Sequence, residues 1–262
     1  FIAPAPSSSS NIPNHELQAL KDLYEATDGP NWHWYSFNVS GEPWNFSVPD
    51  PNPCSGNWQG IRCSVGLNTK VVALELAAHE LRGQLPESIG IFSEMVLLDL
   101  GANHLVGEIP YTLGNLTSLK VLDLNTNDFY NSLPDSVGNL SSLVFMYMAN
   151  ARLNGTLPGS ISQLSNLYKI DLALNSFTGT IPEVFGQLPN LGQLYLFRNQ
   201  LEGTIPYSLG LLPNINNIEL YFNQLTGTIP SSFGIPDNLQ YLAVGDNMLT
   251  GTIPYELGNT SA

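Results

Sequence analysis

The sequence predicts an α/β repeat solenoid: eight units of 24 residues, spanning 71–262, behind an N-terminal cap that is partly helical. Three observations carry that prediction. The stretch "LYLFRNQLEGTIP" (Leu194 to Pro206) recurs 24 residues on as "IELYFNQLTGTIP" and then as "LAVGDNMLTGTIP". The same register runs back to "LELAAHELRGQLP" without insertion or deletion. Apolar residues alternate inside each unit, the period-two pattern of a strand with one buried face. All four tryptophans and both cysteines lie ahead of the repeats, between Trp32 and Cys63. One unit cannot bury its own leucines, but stacked units bury them against each other, and the exposed end of the stack needs an apolar lid.

Taken in order, residues 1–13, "FIAPAPSSSSNIP", are rich in Pro and Ser and read as a flexible arm. The absence of an initial Met fits a processed secretory chain or an excised segment. Residues 14–70 read as the cap. It opens on a short helix that places Leu17, Leu20 and Leu23 or Tyr24 on one face, with Asn14 as its N-cap and Gly29 as its stop. Within the repeats, the Asn at the ninth position (Asn103, Asn127, Asn175, Asn199, Asn223, Asn247) sits where the chain turns inward. Its amide can satisfy backbone groups that stacking would otherwise leave unpaired. His79 and Ala151 interrupt this ladder, so the first and fourth repeats need another partner, such as Asn150 or water. A Gly such as Gly203 allows the tight turn after each ladder segment. Asn131 replaces it in the third repeat, and the Pro that follows limits pairing to a short strand.

The consensus LxxLxLxxNxLxGxIPxxLGxLxx over 71–262 resembles the plant-type, 24-residue leucine-rich repeat. The resemblance implies a curved solenoid with one short parallel strand per repeat on the concave side and irregular segments on the convex side. Its cap motif CxWxGVxC is echoed, with a two-residue insertion, by "CSGNWQGIRC", which implies a Cys54–Cys63 disulfide. A metal site there would need two further ligands, and none is nearby. "ALKDLYEATDGPNW" is similar to the caps of algal, protist and bacterial repeat proteins, which points to an origin outside higher plants. The far end stops at Ala262, the last residue of the eighth unit, with no Cys pair and no polar capping turn. The expectation is a fragment of a longer protein.

Composition narrows the function. The chain is 43% apolar but only 11% charged, and no apolar run approaches the roughly 18 residues of a membrane helix. Eight basic residues against 22 acidic give a net charge of −14, which argues against nucleic acid and an anionic membrane and suits a basic or neutral partner. Asn38, Asn45, Asn115, Asn139, Asn154 and Asn259 each begin an N-x-S/T triplet. With the implied disulfide they favour a secreted or cell-surface glycoprotein. His15, His33, His79 and His104 form no constellation with a nucleophile, and the glycines belong to the repeat, so no catalytic site, metal or cofactor is expected.

The strand positions that face solvent carry the candidate site. They are small or acidic in the first repeats and aromatic from the fourth onward, where Phe145, Tyr147, Tyr168, Tyr195, Phe197, Tyr221, Phe222 and Tyr241 appear. Lys169, Arg198, Asp171 and Glu219 lie among them, and exposed aromatics interleaved with charges mark binding surfaces. The predicted ligand surface is therefore Tyr147, Tyr168, Lys169, Asp171, Tyr195, Phe197, Arg198, Glu219, Tyr221, Phe222 and Tyr241. Acidic residues at the fifth position (Glu75, Asp99, Asp123, Asp171, Glu219) stack partly in register there. By resemblance and by this patch, the leading expectation is a recognition module that binds a peptide, protein or glycan on its concave face. A structural or adhesive spacer is the alternative. Ice binding through the column Thr156, Thr180, Thr204, Thr228 and Thr252 is the remote one, because Thr to Thr pairing in a second sheet accounts for that column more simply.

Overall fold

The computed structural model describes residues 12–34, 41–66 and 69–259, with the side chain of Asn259 outside the description. Most of the predicted arm and the sequon at Asn38 therefore lie outside it. The solenoid is as expected. Three-residue segments at the third to fifth repeat positions form one sheet, in which each strand pairs in parallel with the strand 24 residues on, from Ala73↔Leu97 to Asn217↔Tyr241. The strand Ile61–Cys63 closes the sheet's first edge by antiparallel pairing with Val71–Glu75. The irregular convex segments each contain one turn of 3-10 helix, such as Glu183–Gln187 and Tyr207–Leu211, set directly after the repeat's Pro, whose fixed φ preorganises the turn.

Buried leucines at the first, fourth, sixth and eleventh positions make a continuous core from the cap to Leu239. Outer strands add a second, partial layer of pairing. Arg82–Gln84, His104–Gly107 and Asp128–Phe129 form one sheet, Asn154–Thr156 and Ser176–Thr178 another, and beyond them only the single bridges Thr180↔Glu202 and Thr204↔Thr226 remain. Thr to Thr pairing does occur in this layer, as expected, at Thr156↔Thr178 and Thr204↔Thr226, but between the column and its neighbours rather than within it. Thr156 pairs with Thr178, not with Thr180. The column's methyl groups instead sit against the next repeat's glycine, Thr180 on Gly203 and Thr204 on Gly227.

The asparagine ladder is realised in full where Asn is present. Asn103 accepts from His79 N and Leu81 N, each at 3.0 Å, and donates to Leu76 O and Leu100 O at 2.8 and 2.9 Å, so one amide ties two repeats. Asn199 repeats the pattern with Phe177 N, Leu172 O and Leu196 O. The two interruptions are handled locally. His79 is buried and its Nδ1 lies 2.7 Å from Ala77 O. Around Ala151, Asn127 still reaches Leu124 O and Asn175 reaches Met148 O, so the flanking rungs, rather than Asn150, serve these carbonyls. A feature hidden from sequence accompanies the ladder. The residue before each rung is left-handed in every repeat, with φ between 51° and 58° from Ala78 to Asp246, although only one of the eight is Asn and one Asp. The rungs hold this costly turn in place.

In the cap, the helix spans Asn14–Ala26, and Pro13 rather than Asn14 is its N-cap, because Glu16 N and Leu17 N bond to Pro13 O while the Asn14 side chain makes no cap bond. The helix stops at Thr27, whose hydroxyl donates to Leu23 O, and turns through a left-handed Asp28, not at Gly29. Leu20 and Leu23 are buried as expected, whereas Leu17 and Tyr24 are only half-buried and Ala19 and Glu16 take the remaining buried places. Ile12, from the end of the predicted arm, also belongs to the core. Trp32, Trp44 and Trp58 are buried in an aromatic cluster with Trp34, Tyr24 and Phe46, and the indole N–H groups of Trp32 and Trp44 donate to Thr27 O and Gln59 O. Cys54 and Cys63 form the implied disulfide.

Glu16 is the residue that sequence reading passed over. Its fully buried carboxylate accepts from Val71 N at 2.9 Å and pairs with Lys70 Nζ at 3.3 Å, which fastens the cap helix to the first repeat. Lys70→Met leaves that charge buried and unpaired, and is expected to cost on the order of 3 kcal/mol in urea unfolding. Asn199→Ala, which orphans backbone groups of two repeats, is expected to cost about 3 kcal/mol by the same measurement, against under 0.5 kcal/mol for the exposed Gln200→Ala.

Candidate functional site

Strand register places the fifth-position residues in one row across the concave sheet: Glu75, Asp99, Asp123, Tyr147, Asp171, Tyr195, Glu219 and Ala243 are consecutive Cα partners or neighbours. The row begins acidic and then alternates phenol with carboxylate. Lys169 Nζ lies between two of the phenols, 5.1 Å from the Tyr147 ring centre and 4.6 Å from that of Tyr195. Its position lets the ammonium serve both ring faces and the Asp171 charge at once.

The seventh and eighth positions form a second aromatic group. Phe197 and Tyr221 stack nearly parallel with centres 4.6 Å apart, and Phe222 meets Tyr221 edge-on at 5.7 Å. Arg198 and Phe222 both occupy the left-handed turn, which brings the guanidinium 5.0 Å from the Phe222 ring. Tyr147, Tyr195 and Tyr221 are half-buried, and Phe222 and Tyr241 are exposed. The predicted residues thus fall on one face, with two departures. Tyr241 stands on the last strand beside Asn217 and takes no part in the Phe197–Tyr221 stack. Tyr168 leaves the face for the rim where the strands begin and there accepts a hydrogen bond from Asn216 Nδ2 at 3.1 Å.

One participant, Asn217, was not singled out from sequence, and another, Asp123, was read only as a member of the acidic row. Asn217 donates to the Tyr195 hydroxyl and to Glu219 Oε1, at 3.1 and 3.3 Å, and so links the phenol to the carboxylate. Asp123 is distinguished electrostatically. Burial pushes its carboxyl above the usual range, the charges of Asp99 and Asp171 add to this, and the Asn125 N–H partly opposes it. Asp171 is also raised, chiefly by burial, with the Ala173 N–H and Lys169 opposing. Burial likewise raises Tyr147, Tyr195 and Tyr221, and neighbouring carboxylates reinforce it. Ionised carboxylates crowded on a half-dry surface are a standing electrostatic cost that a bound cation relieves. Among the described residues no cluster of His, Cys, Asp and Glu is arranged to hold a metal ion.

Of the sequons, Asn45, Asn115, Asn139 and Asn154 are exposed, Asn115 and Asn139 at equivalent places on neighbouring 3-10 turns. No described helix is long and apolar enough to cross a membrane.

A parallel-stacked solenoid with an amide ladder, a disulfide-bonded aromatic cap and a sheet face of interleaved rings and charges defines a repeat architecture of one class. The chain belongs to the leucine-rich repeat family, and residues 69–260 match the family described as a leucine-rich repeat region. Among solved structures it is similar to the ectodomain of the Arabidopsis thaliana receptor kinase GASSHO1/SCHENGEN3 in complex with CASPARIAN STRIP INTEGRITY FACTOR 2, at 31% identity and a TM-score of 0.76 over 94% of this chain and 31% of that one. It is also similar to the Arabidopsis receptor kinase HAESA in complex with the peptide hormone IDA and the co-receptor SERK1, at 36% identity and a TM-score of 0.69 over 71% of this chain and 31% of that one. The chain therefore spans about a third of the length of these receptors. A plant ice-binding protein shares the fold at 24% identity and a TM-score of 0.66, over 94% of this chain and 90% of that one. No curated protein sequence matches the chain.

The raised Asp123 carboxyl has a consequence for stability. A carboxylate whose pKa is higher folded than unfolded opposes folding when ionised, and this opposition vanishes once pH falls below the unfolded value, about 3.9. Asp123→Asn, which keeps the acceptor for Asn125 N–H, is expected to raise the urea midpoint at pH 7 and to leave it unchanged below about pH 3.5.

Proposed function

We propose that this chain is a non-catalytic extracellular recognition module that binds an extended, basic peptide along the concave face of its fourth to eighth repeats. The observation that carries the proposal is the row Tyr147, Lys169, Asp171, Tyr195 and Glu219 with the stacked Phe197–Tyr221 pair beside it. Half-buried rings supply contact area at low entropic cost, and the carboxylates left crowded between them favour a cationic ligand. The acidic Asp99 and Asp123 at the adjoining strands extend the preference for positive charge towards the cap. The receptors of similar structure support the same reading, since two of them were solved with CASPARIAN STRIP INTEGRITY FACTOR 2 and with the peptide hormone IDA. Glycans on Asn115 and Asn139, which are exposed on the 3-10 turns, would leave the concave face open to ligand.

One observation favours a second reading. The hydroxyl-bearing column Thr156 to Thr252 is exposed throughout, and each of its first four methyl groups is fixed against a glycine of the next repeat, a regular array of the kind that orders water. An ice-recrystallisation assay without activity at micromolar protein would remove it.

The peptide reading is tested by binding the purified chain to a library of secreted basic peptides, next to a Tyr195→Ala, Phe197→Ala, Tyr221→Ala variant with unchanged far-ultraviolet circular dichroism. Loss of affinity by about 100-fold or more is expected, given about 2 kcal/mol for a central aromatic anchor. Binding indifferent to these substitutions would sink the concave site. For the secreted assignment, mass spectrometry of chain made in a secretory host is expected to find glycans on Asn115, Asn139 and Asn154.

A further inference from the structure

A groove of about 690 Å³ runs along the rim where the concave strands begin, and none of the side chains that line it is charged. Its wall is a second asparagine column, one residue before each repeat's first leucine position: Asn166, Asn190, Asn214 and Asn238. Each amide nitrogen donates to a carbonyl of the preceding repeat, Asn166 to Ser141 O and Asn190 to Ser165 O at 2.8 Å, Asn214 to Pro189 O at 2.9 Å and Asn238 to Pro213 O at 3.4 Å. A carbonyl can only accept, so the nitrogen must face it and the amide oxygen is turned away. The result is a row of outward acceptors spaced by one repeat, about 4.8 Å.

The floor of the groove is aromatic. Tyr168 lies flat across Gly192, where any side chain would collide with its ring, and reaches Asn216 two repeats away. This is why Tyr168 departs from the concave row.

We infer that this rim groove is a binding site for a neutral, extended oligosaccharide. Sugar hydroxyls donate to the amide oxygens and accept from amide N–H groups, while the apolar face of a pyranose ring stacks on Tyr168. The spacing selects against a peptide. Backbone donors that point the same way along an extended chain recur at two residues, about 6.6 Å, out of step with the row, whereas one repeat is close to the length of one sugar unit in an extended chain. The absence of cationic side chains from the lining, in a chain of net charge −14, selects against an anionic polymer. The inference does not rest on the peptide reading of the concave face.

Isothermal titration of the whole chain with cellohexaose, β-1,4-mannohexaose and laminarihexaose tests it, with a galacturonan hexamer as the anionic control. At least one neutral hexamer is expected to bind, and Tyr168→Ala to weaken it about tenfold or more. The paired change Asn190→Ser and Asn214→Ser removes two outward amide oxygens and leaves only short hydroxyls held against the carbonyls, since Ser118 at the equivalent position already donates to Ser93 O. It is expected to weaken binding about tenfold at an unchanged melting temperature. Tyr111→Ala, on an exposed 3-10 turn outside the groove, is expected to change nothing. No binding of any neutral hexamer at millimolar concentration, binding of the galacturonan alone, or binding untouched by Tyr168→Ala would each overturn the assignment.

Discussion

Every repeat must turn its chain from the sheet into the core, and that turn buries backbone groups that no neighbouring strand can reach. The ninth-position asparagine resolves this constraint, and the rest of the molecule depends on it. Because one amide bonds to two repeats at once, the 24-residue interval becomes a fixed geometric pitch, and the strict in-register pairing of the concave strands follows. The same rung holds the preceding residue in a left-handed conformation that ordinary side chains resist. That conformation points Arg198 and Phe222 into the aromatic group of the concave face, so a backbone requirement of the core shapes the candidate site.

The cap answers the complementary problem of where a solenoid begins. Its tryptophans cover apolar surface, and the indole N–H groups of Trp32 and Trp44 donate to carbonyls, so burial of these two rings does not strand their donors. Directionality comes from Glu16. A lone acceptor buried between helix and first strand meets Val71 N and Lys70, and this fixes one orientation of the helix among the several that greasy contact alone would permit.

How much of this was legible in sequence follows from what each feature depends on. Anything that repeats was readable: the register, the ladder, the buried leucines and the row of solvent-facing residues are all functions of position modulo 24. What depends on a single partner distant in sequence was not. Glu16 looks like one more polar residue on a helix until Lys70 and Val71 are brought to it, and Asn14 resembles an N-cap until Pro13 takes that place. Tyr168 shows both limits at once. Its second repeat position, one residue ahead of the strand, was readable, but the direction of its ring depends on Gly192, the glycine 24 residues on. The rim asparagines were readable as a column and overlooked because the ninth-position column claimed the same residue type.

The fourth repeat carries a further consequence. There Ala151 stands where a rung belongs, and among the described residues the outer pairing also changes hands, from the sheet ending at Phe129 to the one beginning at Asn154. The rung and the outer pairing are thinned at this seam, while the concave strands, the core, the Asn166 bond to Ser141 O and the Arg152–Asp128 ion pair cross it. At this seam an acidic segment attached to the cap meets an aromatic segment that carries most of the ligand-facing rings. A long ligand lying along the concave face would span both segments and act as a splint across the place where the rung is missing.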